Sequence, residues 1–437
     1  MKLSRHIDKR AIHVAQDLRL FQGSQAFFPA LIEAIDSAIA SVQMETYLFD
    51  VYATGAEVAS ALVRAAQRGV VVQVLVDGIG SHPLPDEWQA KISAAGVQWH
   101  VYSPLTSRLA ILQPLAWRRL HRKLCVIDQR MMFCGGINIL DDFYDPNHGV
   151  LSEPRFDFAI SATGSIAFDA AQAVTLLWHR VQAGDSARQR QLGRAFNELK
   201  AAGYGGRKAG LPEPLEPREP REPPELAKSA KSADSAELVP ADPGQSLPSA
   251  ALVLRDNLRN RSSIEKAYLQ AIGRARVDIV IANAYFLPGG KLRRALIAAA
   301  RRGVKVTVLL QGKYEYFMQY HASRPVYDAL LKAGVEIHAY SKSFLHAKVA
   351  VIDSRWATVG SSNLDPLSLL LAREANVVIE GADFANELRQ RLMTALASQD
   401  GRIDLMTHLK RPLMNRVLDW FAYGVMRSLL WVTGKRY

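Results

Sequence analysis

The sequence His121-Arg-Lys-Leu-Cys-Val-Ile-Asp128, followed by Gly135-Gly-Ile-Asn138, decides how this chain is organised, because its pattern occurs a second time. The second copy runs His346-Ala-Lys-Val-Ala-Val-Ile-Asp353, followed by Gly360-Ser-Ser-Asn363. Histidine, lysine, aspartate, glycine and asparagine keep the same spacing in both copies. With residue frequencies of about 0.05, one such match is expected by chance in roughly one chain in 10^4 of this length. The repetition therefore predicts a chain of two related halves.

Helices that end at glycine and lead into apolar strands precede both motif copies. Gly69 and Gly96 mark two such junctions in the first half, and Gly303 and Gly334 mark the corresponding junctions in the second. Apolar strands flanked by helices predict an α/β sandwich in which the sheet is buried on both faces. The elements predicted in the first half are helices 26–41, 55–68 and 86–95 and strands 43–49, 70–76, 97–102, 123–127 and 130–134.

The composition is that of a globular, basic chain. Of its 437 residues 49% are hydrophobic and 22% are charged, and the formal net charge is +12. A basic balance of this kind indicates an acidic partner, either nucleic acid or anionic lipid. Residues 1–18 have no apolar core and the chain has no run of 18 apolar residues, so neither a signal peptide nor a transmembrane helix is predicted. Cys125 and Cys134 are predicted to be buried thiols, which suits a reducing compartment.

The segment between the two halves differs in composition from both of them. It is rich in proline, glutamate, lysine, serine and alanine, and it cannot bury enough apolar surface to offset the entropy lost on ordering. We therefore predict four regions: a first half over residues 1–203, a flexible or polyproline-like linker over 204–249, a second half over 250–400 and a tail over 401–437.

The repeated residues suit chemistry at a phosphodiester. The phosphoryl oxygens are negative, so a catalyst needs cations and donors around them, a nucleophile in line and an acid for the leaving alcohol. In His-x-Lys on a strand, both side chains point to one face and can reach the same phosphate. The predicted catalytic residues are His121, Lys123, Asp128, His346, Lys348 and Asp353. The predicted phosphate-binding residues are Gly136, Asn138, Ser361 and Asn363.

Two histidines can divide the work at one phosphate. One, neutral, attacks phosphorus and forms a phosphohistidine, while the other gives a proton to the leaving oxygen and later removes one from the acceptor. Each histidine should be oriented by a carboxylate on its far ring nitrogen. We expect Glu374 to orient His346 and Asp157 to orient His121.

Asp128 and Asp353 each end a strand before a turn, so a role in bracing the motif stays open beside a chemical one. No cluster of histidine, cysteine or carboxylate residues has the spacing of metal ligands. The sequence therefore predicts a mechanism with no metal and no cofactor.

These motifs resemble those of the phospholipase D superfamily, whose members carry the duplicated His-x-Lys-x4-Asp pattern. The resemblance extends over residues 18–200 and 250–400. It implies a duplicated α/β sandwich in which two pseudo-twofold-related halves share one active site. It also implies that His121 is the nucleophile and His346 the general acid and base.

Within that superfamily the chain resembles bacterial cardiolipin synthases. The resemblance rests on residues 120–128 with Gly135-Gly136, on residues 361–368, and on Glu374-Ala-Asn376. Many members begin with two membrane-spanning helices, and this chain looks like the shorter type that lacks them. Other segments would then have to contact the membrane.

Two segments are predicted to make that contact. The first half holds about a dozen more residues before its motif than the second half does, and this insertion, around 109–120, is apolar and carries tryptophan and arginine. The tail from residue 411 has apolar residues at helical spacing and basic residues between them, which indicates a helix lying on an anionic membrane or, alternatively, docked on the protein's own core. The predicted membrane contacts are Trp117, Arg118, Arg119, Trp420, Phe421 and Trp431.

The expected function is cardiolipin synthesis, in which one phosphatidylglycerol gives its phosphatidyl group to a second and glycerol leaves. The alternatives are phospholipase D hydrolysis, transfer from another donor or to another alcohol, and, with less support, a phosphodiesterase nuclease. A nuclease needs no amphipathic tail, so phosphatidylglycerol and a membrane surface are the expected partners and nucleic acid is not. The expected location is the cytoplasmic face of a bacterial inner membrane, with peripheral attachment.

Overall fold

The fold is described by a computed structural model over residues 12–104, 118–145, 148–188, 197–198, 248–256, 260–314, 317–365, 372–398 and 400–432. The chain divides into two units, residues 1–178 with 248–437, and residues 179–247. In the second unit, His179 and Glu198 form a hydrogen bond of 2.7 Å. Apart from residues 248 and 249, the predicted linker lies outside the described residues.

The first half alternates helices and strands, as its sequence predicts. Its strands are β1 (His13–Val14), β2 (Gln16–Gln22), β3 (Ser41–Thr46), β4 (Val71–Asp77), β5 (Gln98–Tyr102), β6 (Arg119–Leu120), β7 (Leu124–Ile127), β8 (Met131–Gly135), β9 (Tyr144–Asp145), β10 (Gly149–Val150) and β11 (Phe158–Thr163). Its helices are α1 (Ser24–Asp36), α2 (Thr54–Gln67), α3 (Asp86–Ala94) and α4 (Ser165–Arg188). The predicted boundaries fall within a few residues of these, the largest difference being at the end of α1.

The second half repeats this alternation and extends it with a helical tail. Its strands are β12 (Ser249–Arg255), β13 (Asp278–Asn283), β14 (Lys305–Gln311), β15 (Glu336–Tyr340), β16 (Lys348–Ile352), β17 (Trp356–Gly360) and β18 (Ala372–Glu380). Its helices are α5 (Ser263–Arg274), α6 (Gly290–Arg301), α7 (Phe317–Lys332), α8 (Ala382–Ala397), α9 (Leu405–Leu409) and α10 (Leu413–Val432).

The two sheets follow the same path. The first runs β2-β11-β8-β7-β3-β4-β5 and the second runs β12-β18-β17-β16-β13-β14-β15. In each, the last three strands are parallel and the others antiparallel. Two short strands of the first half, β1 and β6, join the second sheet by pairing with β12 and β18. The duplicated α/β sandwich expected from the repeat is thus confirmed.

The two motif strands lie near the middle of their sheets and are buried along their whole length. Every residue of β7 and of β16 is buried, because each strand is an apolar run covered on both faces. One face of each strand contributes to a middle core, shared by both sheets, that holds Val126 and Ile160 from the first half and Val349 and Val377 from the second. Packing this core brings the two motif copies to a common interface.

Helix α10 is docked on the protein by one face. Ala422 and Met426 are buried in the core of the second half, and Asp419 binds His321 of α7 at 2.7 Å. Arg411, just before α10, also binds Asp419, at 2.6 Å. The tail therefore takes the docked arrangement, and its other face stays open. Across the described residues, no helix combines the length and apolar character needed to cross a membrane.

Candidate active site

The motif lysines fold back onto their own histidines. The Lys123 Nζ donates to the His121 carbonyl at 3.0 Å, and the Lys348 Nζ donates to the His346 carbonyl. Lys123 is 5% exposed and Lys348 is fully buried. Two buried ammonium groups at one interface repel each other, so the site favours an anion between them.

Each histidine is bound by a carboxylate from the opposite half of the chain. The His121 Nδ1 lies 3.1 Å from the Glu374 Oε2, and the His346 Nδ1 lies 2.6 Å from the Asp157 Oδ2. Both predicted carboxylates are in place, but the predicted pairing, Glu374 with His346 and Asp157 with His121, is wrong. With both Nδ1 atoms engaged, each Nε2 is left to face a substrate.

Backbone pairing between the halves explains why each histidine is bound by the carboxylate of the other half. The backbone N–H of His121 donates to the carbonyl of Arg373 at 3.0 Å, and the next residue along is Glu374. The backbone N–H of His346 donates to the carbonyl of Phe156 at 2.9 Å, and Asp157 follows. Each motif therefore starts beside the other half's carboxylate, an arrangement that spacing along the chain does not reveal.

The Gly-Gly and Gly-Ser pairs serve the carboxylates. The Ser361 hydroxyl is fully buried and donates to the Glu374 Oε2 at 2.5 Å. At the matching position in the first half, a Cβ on Gly136 would overlap the carboxylate of Asp157. Ser361 therefore braces the longer Glu374, while Gly136 makes room for the shorter Asp157. The predicted role of both residues in binding phosphate stays a prediction.

The two motif asparagines follow β8 and β17. The Asn138 Oδ1 accepts from the backbone N–H of Leu48 at 3.3 Å, which leaves its amide nitrogen as a donor. Asn363 is 3% exposed, and its Oδ1 accepts no hydrogen bond from the described residues. Both amides remain candidates for holding phosphoryl oxygens.

Asp128 and Asp353 brace the far ends of the motif strands. The Asp128 carboxylate accepts backbone N–H groups of residues 39, 40 and 41, and the Asp353 carboxylate accepts those of residues 276, 277 and 278. Both residues have positive φ, 50° and 53°, in a conformation that aspartate tolerates at turns. Each lies across a buried strand from its histidine, so the bracing role fits their contacts and a chemical role does not.

Burial shifts the pKa values of the interface groups away from their ordinary values. It lowers the pKa of His121, although Glu374 opposes the change, and it lowers the pKa of His346 well below its usual range, with Lys348 and Lys123 adding to the effect. Burial also lowers the pKa of Lys123 to about 7 and raises the pKa of Asp157 to about 7. Because Asp157 and His346 share a hydrogen bond of 2.6 Å, the titrations of the two groups are coupled.

Tyr47 is a residue of the site that the sequence did not single out. Its ring centroid lies 4.9 Å from that of His121, and the Lys123 Nζ lies 5.3 Å from the same ring. A cation held near an aromatic face is stabilised by the ring quadrupole. The repeat gives no signal for this position, because the corresponding residue of the second half is Ala284.

The predicted membrane contacts before the first motif differ in their surroundings. Trp117 lies outside the described residues, and Arg118 is half-buried. Arg119 is wrongly predicted, because its side chain is 13% exposed and its guanidinium binds the fully buried carboxylate of Asp77 at 3.1 Å. This pair anchors the start of the motif instead.

Of the membrane contacts predicted on the tail, those whose side chains are described are exposed. Trp420 is 57% exposed and Phe421 is 65% exposed, on the open face of α10. The side chain of Trp431 lies outside the described residues. Leu413 and Val417 extend the same apolar stripe, with 74% and 57% exposure.

Two further expectations concern metals and thiols. Within the described ranges, no group of three or more His, Cys, Asp or Glu residues could hold a metal ion, and the metal-free mechanism stays a prediction. Cys125 and Cys134 are buried free thiols whose pKa values burial raises to about 12.

Comparison with known proteins agrees with this architecture. The family model described as "Cardiolipin synthase, PLD-like domain" matches residues 31–152 and 268–395. Cardiolipin synthase B of Escherichia coli K12 is 34% identical over 422 residues, covering 94% of this chain and 87% of the relative. A cardiolipin synthase of a Geobacillus species is 28% identical over 419 residues, covering 96% of this chain and 74% of the relative.

A solved structure shares the fold at much lower identity. The phosphatidylserine synthase of Haemophilus influenzae matches with a TM-score of 0.62 and 14% identity, covering 95% of this chain and 94% of that one. The family model matches more than half of the chain and the Escherichia coli relative matches nearly all of it. This chain belongs to the cardiolipin synthase family of phospholipase D-like enzymes.

Proposed function

We propose that this enzyme makes cardiolipin by transferring a phosphatidyl group from one phosphatidylglycerol to another, with His121 as nucleophile and His346 as general acid and base. The observation that carries the proposal is the crossed pair of His–carboxylate bonds beside two buried lysines. It supplies two Nε2 atoms and a cationic pocket for one phosphate. Lys123, Lys348, Asn138 and Asn363 are the groups proposed to hold the phosphoryl oxygens.

In the first step, the His121 Nε2 attacks the phosphorus of the donor lipid. A P–N bond forms as the bond to the headgroup glycerol oxygen breaks, and that oxygen takes a proton from the His346 Nε2, so glycerol leaves. The low pKa of His121 keeps its imidazole neutral for this attack. The proton delivered to the leaving group is the one on the His346 Nε2, while the hydrogen bond from the His346 Nδ1 to Asp157 stabilises the imidazole as that proton leaves.

In the second step, the headgroup hydroxyl of another phosphatidylglycerol attacks the phosphohistidine. The hydroxyl gives its proton to the His346 Nε2, a P–O bond forms and the P–N bond breaks, which restores both histidines. Two phosphatidylglycerols thus give one cardiolipin and one glycerol. Water in place of the second lipid would give phosphatidic acid.

The test is to incubate purified protein with phosphatidylglycerol vesicles and to separate the lipids by chromatography. Cardiolipin and glycerol in equal amounts are expected, and His121→Ala should lower turnover by about 10^4-fold and leave no trapped phosphoenzyme. Phosphatidic acid as the sole product would contradict transfer. A phosphoenzyme that persists in His121→Ala would contradict the assigned nucleophile.

We further propose that the protein attaches peripherally to the cytoplasmic face of the inner membrane through the open face of α10. Leu413, Val417, Trp420 and Phe421 form an apolar stripe on a helix that is itself fixed to the protein. Exposed arginines beside such a stripe favour anionic lipid, and Arg416 is one of them. As part of the same proposal, residues 204–249 form the linker between the two halves, and the tail from residue 401 is the region that contacts the membrane.

The membrane proposal is tested by sedimentation with phosphatidylglycerol vesicles. Replacing Val417 and Phe421 by serine should weaken binding by about 10-fold or more, since both side chains lose buried apolar area. The matched control replaces Ile39 and Val277 by serine. These side chains are 74% and 68% exposed and lie near Asp128 and Asp353, at the far ends of the motif strands. Equal binding by both double variants would contradict attachment through α10.

A further inference from the structure

Behind the bond between His121 and Glu374 lies a buried cluster of charged residues. Arg122 follows His121 in the chain, and its Nε lies 3.0 Å from the Glu45 Oε2, with side-chain exposures of 5% and 0%. Arg373 precedes Glu374, and its Nε donates to the Tyr102 hydroxyl at 3.1 Å.

Glu45 links the two arginines electrostatically. Burial raises the pKa of Glu45, and the positive charges of Arg122 and Arg373 both oppose that rise. Arg122 comes from the first half and Arg373 from the second. Arg373 pairs with Leu120 across β18 and β6, and its side chain binds Tyr102 of the first half. The cluster therefore ties together the two chain segments that carry His121 and Glu374.

The same four positions around His346 carry no charge: three of them hold alanine or phenylalanine, and the fourth is again a tyrosine. The sheet pairing matches Glu45 with Ala282 and Arg122 with Ala347, both fully buried. Phe156, which precedes Asp157, stands where Arg373 stands, and it stacks on Tyr340 with ring centroids 5.1 Å apart. Tyr340 ends β15 as Tyr102 ends β5.

We propose that Glu45, Arg122, Arg373 and Tyr102 form a charged clamp of positioning residues that fixes His121 against Glu374 for nucleophilic attack. The proposal rests on the assignment of His121 as the nucleophile. His121 holds a covalently bound lipid through two chemical steps, whereas His346 only transfers protons. The Glu45–Arg122 ion pair and the hydrogen bond from Arg373 to Tyr102 hold the segments on both sides of the His121–Glu374 bond in register, while stacking suffices on the other side.

The experiment compares variants that convert one environment into the other. Glu45→Ala combined with Arg122→Ala copies the alanine pair of the second half and avoids leaving one buried charge unpaired. Tyr102→Phe removes the hydroxyl that Arg373 binds, and Tyr340→Phe removes the equivalent hydroxyl on the other side. Rapid-quench measurement with radiolabelled phosphatidylglycerol gives the rate of phosphoenzyme formation, and steady-state assays give kcat and KM.

We expect the double variant to form phosphoenzyme about 100-fold more slowly and Tyr102→Phe about 5-fold more slowly, with KM within about twofold. Tyr340→Phe should match the unaltered enzyme, and Arg122→Lys should keep more activity than Arg122→Ala because it retains the charge. Phosphoenzyme formation at the unaltered rate in the double variant would overturn the clamp, as would an equal loss in Tyr340→Phe. His121→Ala is assayed in parallel, since a phosphoenzyme there contradicts the nucleophile assignment and says nothing against the clamp.

Discussion

The two halves of this chain share one strand path and one set of reactive residues, yet they surround their histidines in opposite ways. His121 has a glutamate partner braced by a serine and backed by charged side chains. His346 has an aspartate partner that needs a glycine beside it and is backed by aromatic and small apolar side chains. The repeat therefore preserves the reactive groups, whereas the residues behind them differ between the halves and can give the two histidines different roles.

Removing the charge of either carboxylate should have the largest effect and should separate the two steps. We expect Glu374→Gln and Asp157→Asn each to lower kcat by about 10^3-fold, because the amide cannot stabilise an imidazolium. Glu374→Gln should slow phosphoenzyme formation through His121, and Asp157→Asn should slow proton transfer through His346. Asp169→Asn is the matched control, because it breaks a histidine–carboxylate pair of 2.7 Å with His13 elsewhere in the molecule. The same defect in both site variants at every step would mean that the halves do not divide the chemistry.

Exchanging the glycine beside Asp157 and the serine beside Glu374 should lower kcat by different amounts. Gly136→Ser places a Cβ on Asp157, so we expect kcat to fall by about 100-fold as that carboxylate is displaced from His346. Ser361→Gly removes a single hydrogen bond to Glu374, and a loss of about 10-fold is expected. Gly273→Ser is the control, since a Cβ there meets nothing within 4 Å. Equal losses in the two exchanged variants would contradict the different fits of aspartate and glutamate.

The pH dependence of kcat/KM should reflect the two groups with a pKa of about 7. As pH rises through about 7, Lys123 loses the proton that gives it its charge, and Asp157, which is bound to His346, loses its own proton. Both losses act in the same direction, so kcat/KM should fall about tenfold or more per pH unit above that range. On the acid side, the lowered pKa of His121 keeps the nucleophile neutral at lower pH than an ordinary histidine would be.

Lys123→Arg checks the lysine contribution, since arginine stays charged throughout and should make the alkaline fall less steep. Lys91→Arg, whose exposed ammonium lies over the Trp88 ring on α3, serves as the control. An unchanged slope in Lys123→Arg would show that Lys123 does not titrate in this range.

The bracing aspartates should have the smallest effect on activity. Asp128→Ala removes the acceptor for three backbone N–H groups, and we expect the free energy of unfolding to fall by about 1–3 kcal/mol while kcat changes by less than about twofold. Asp128→Asn, which keeps an acceptor oxygen and tolerates the positive φ, should lose less stability. Denaturant unfolding and steady-state assays measure the two quantities. A large loss of kcat with unchanged stability would mean that Asp128 takes part in the chemistry.

Much of this molecule follows from local sequence. The alternation of helices and apolar strands, the sites where helices end at glycine and the burial of the motif strands all depend on residues within a few positions of each other. Gly69 and Gly303, with φ of 89° and 88°, adopt the conformation that the predicted helix ends require. The reactive histidines and lysines were also identified without a structure, because their spacing repeats.

What the sequence by itself determined was therefore the fold of each half and the identity of the reactive groups, since both are written in short-range patterns. Only the tertiary structure decided which carboxylate binds which histidine. Glu374 and Asp157 reach histidines that are 253 and 189 positions away, and the residues behind them come from both halves. Such contacts are set by how the two sheets pack on their shared core. A pattern read within one half therefore assigned each carboxylate to the wrong histidine.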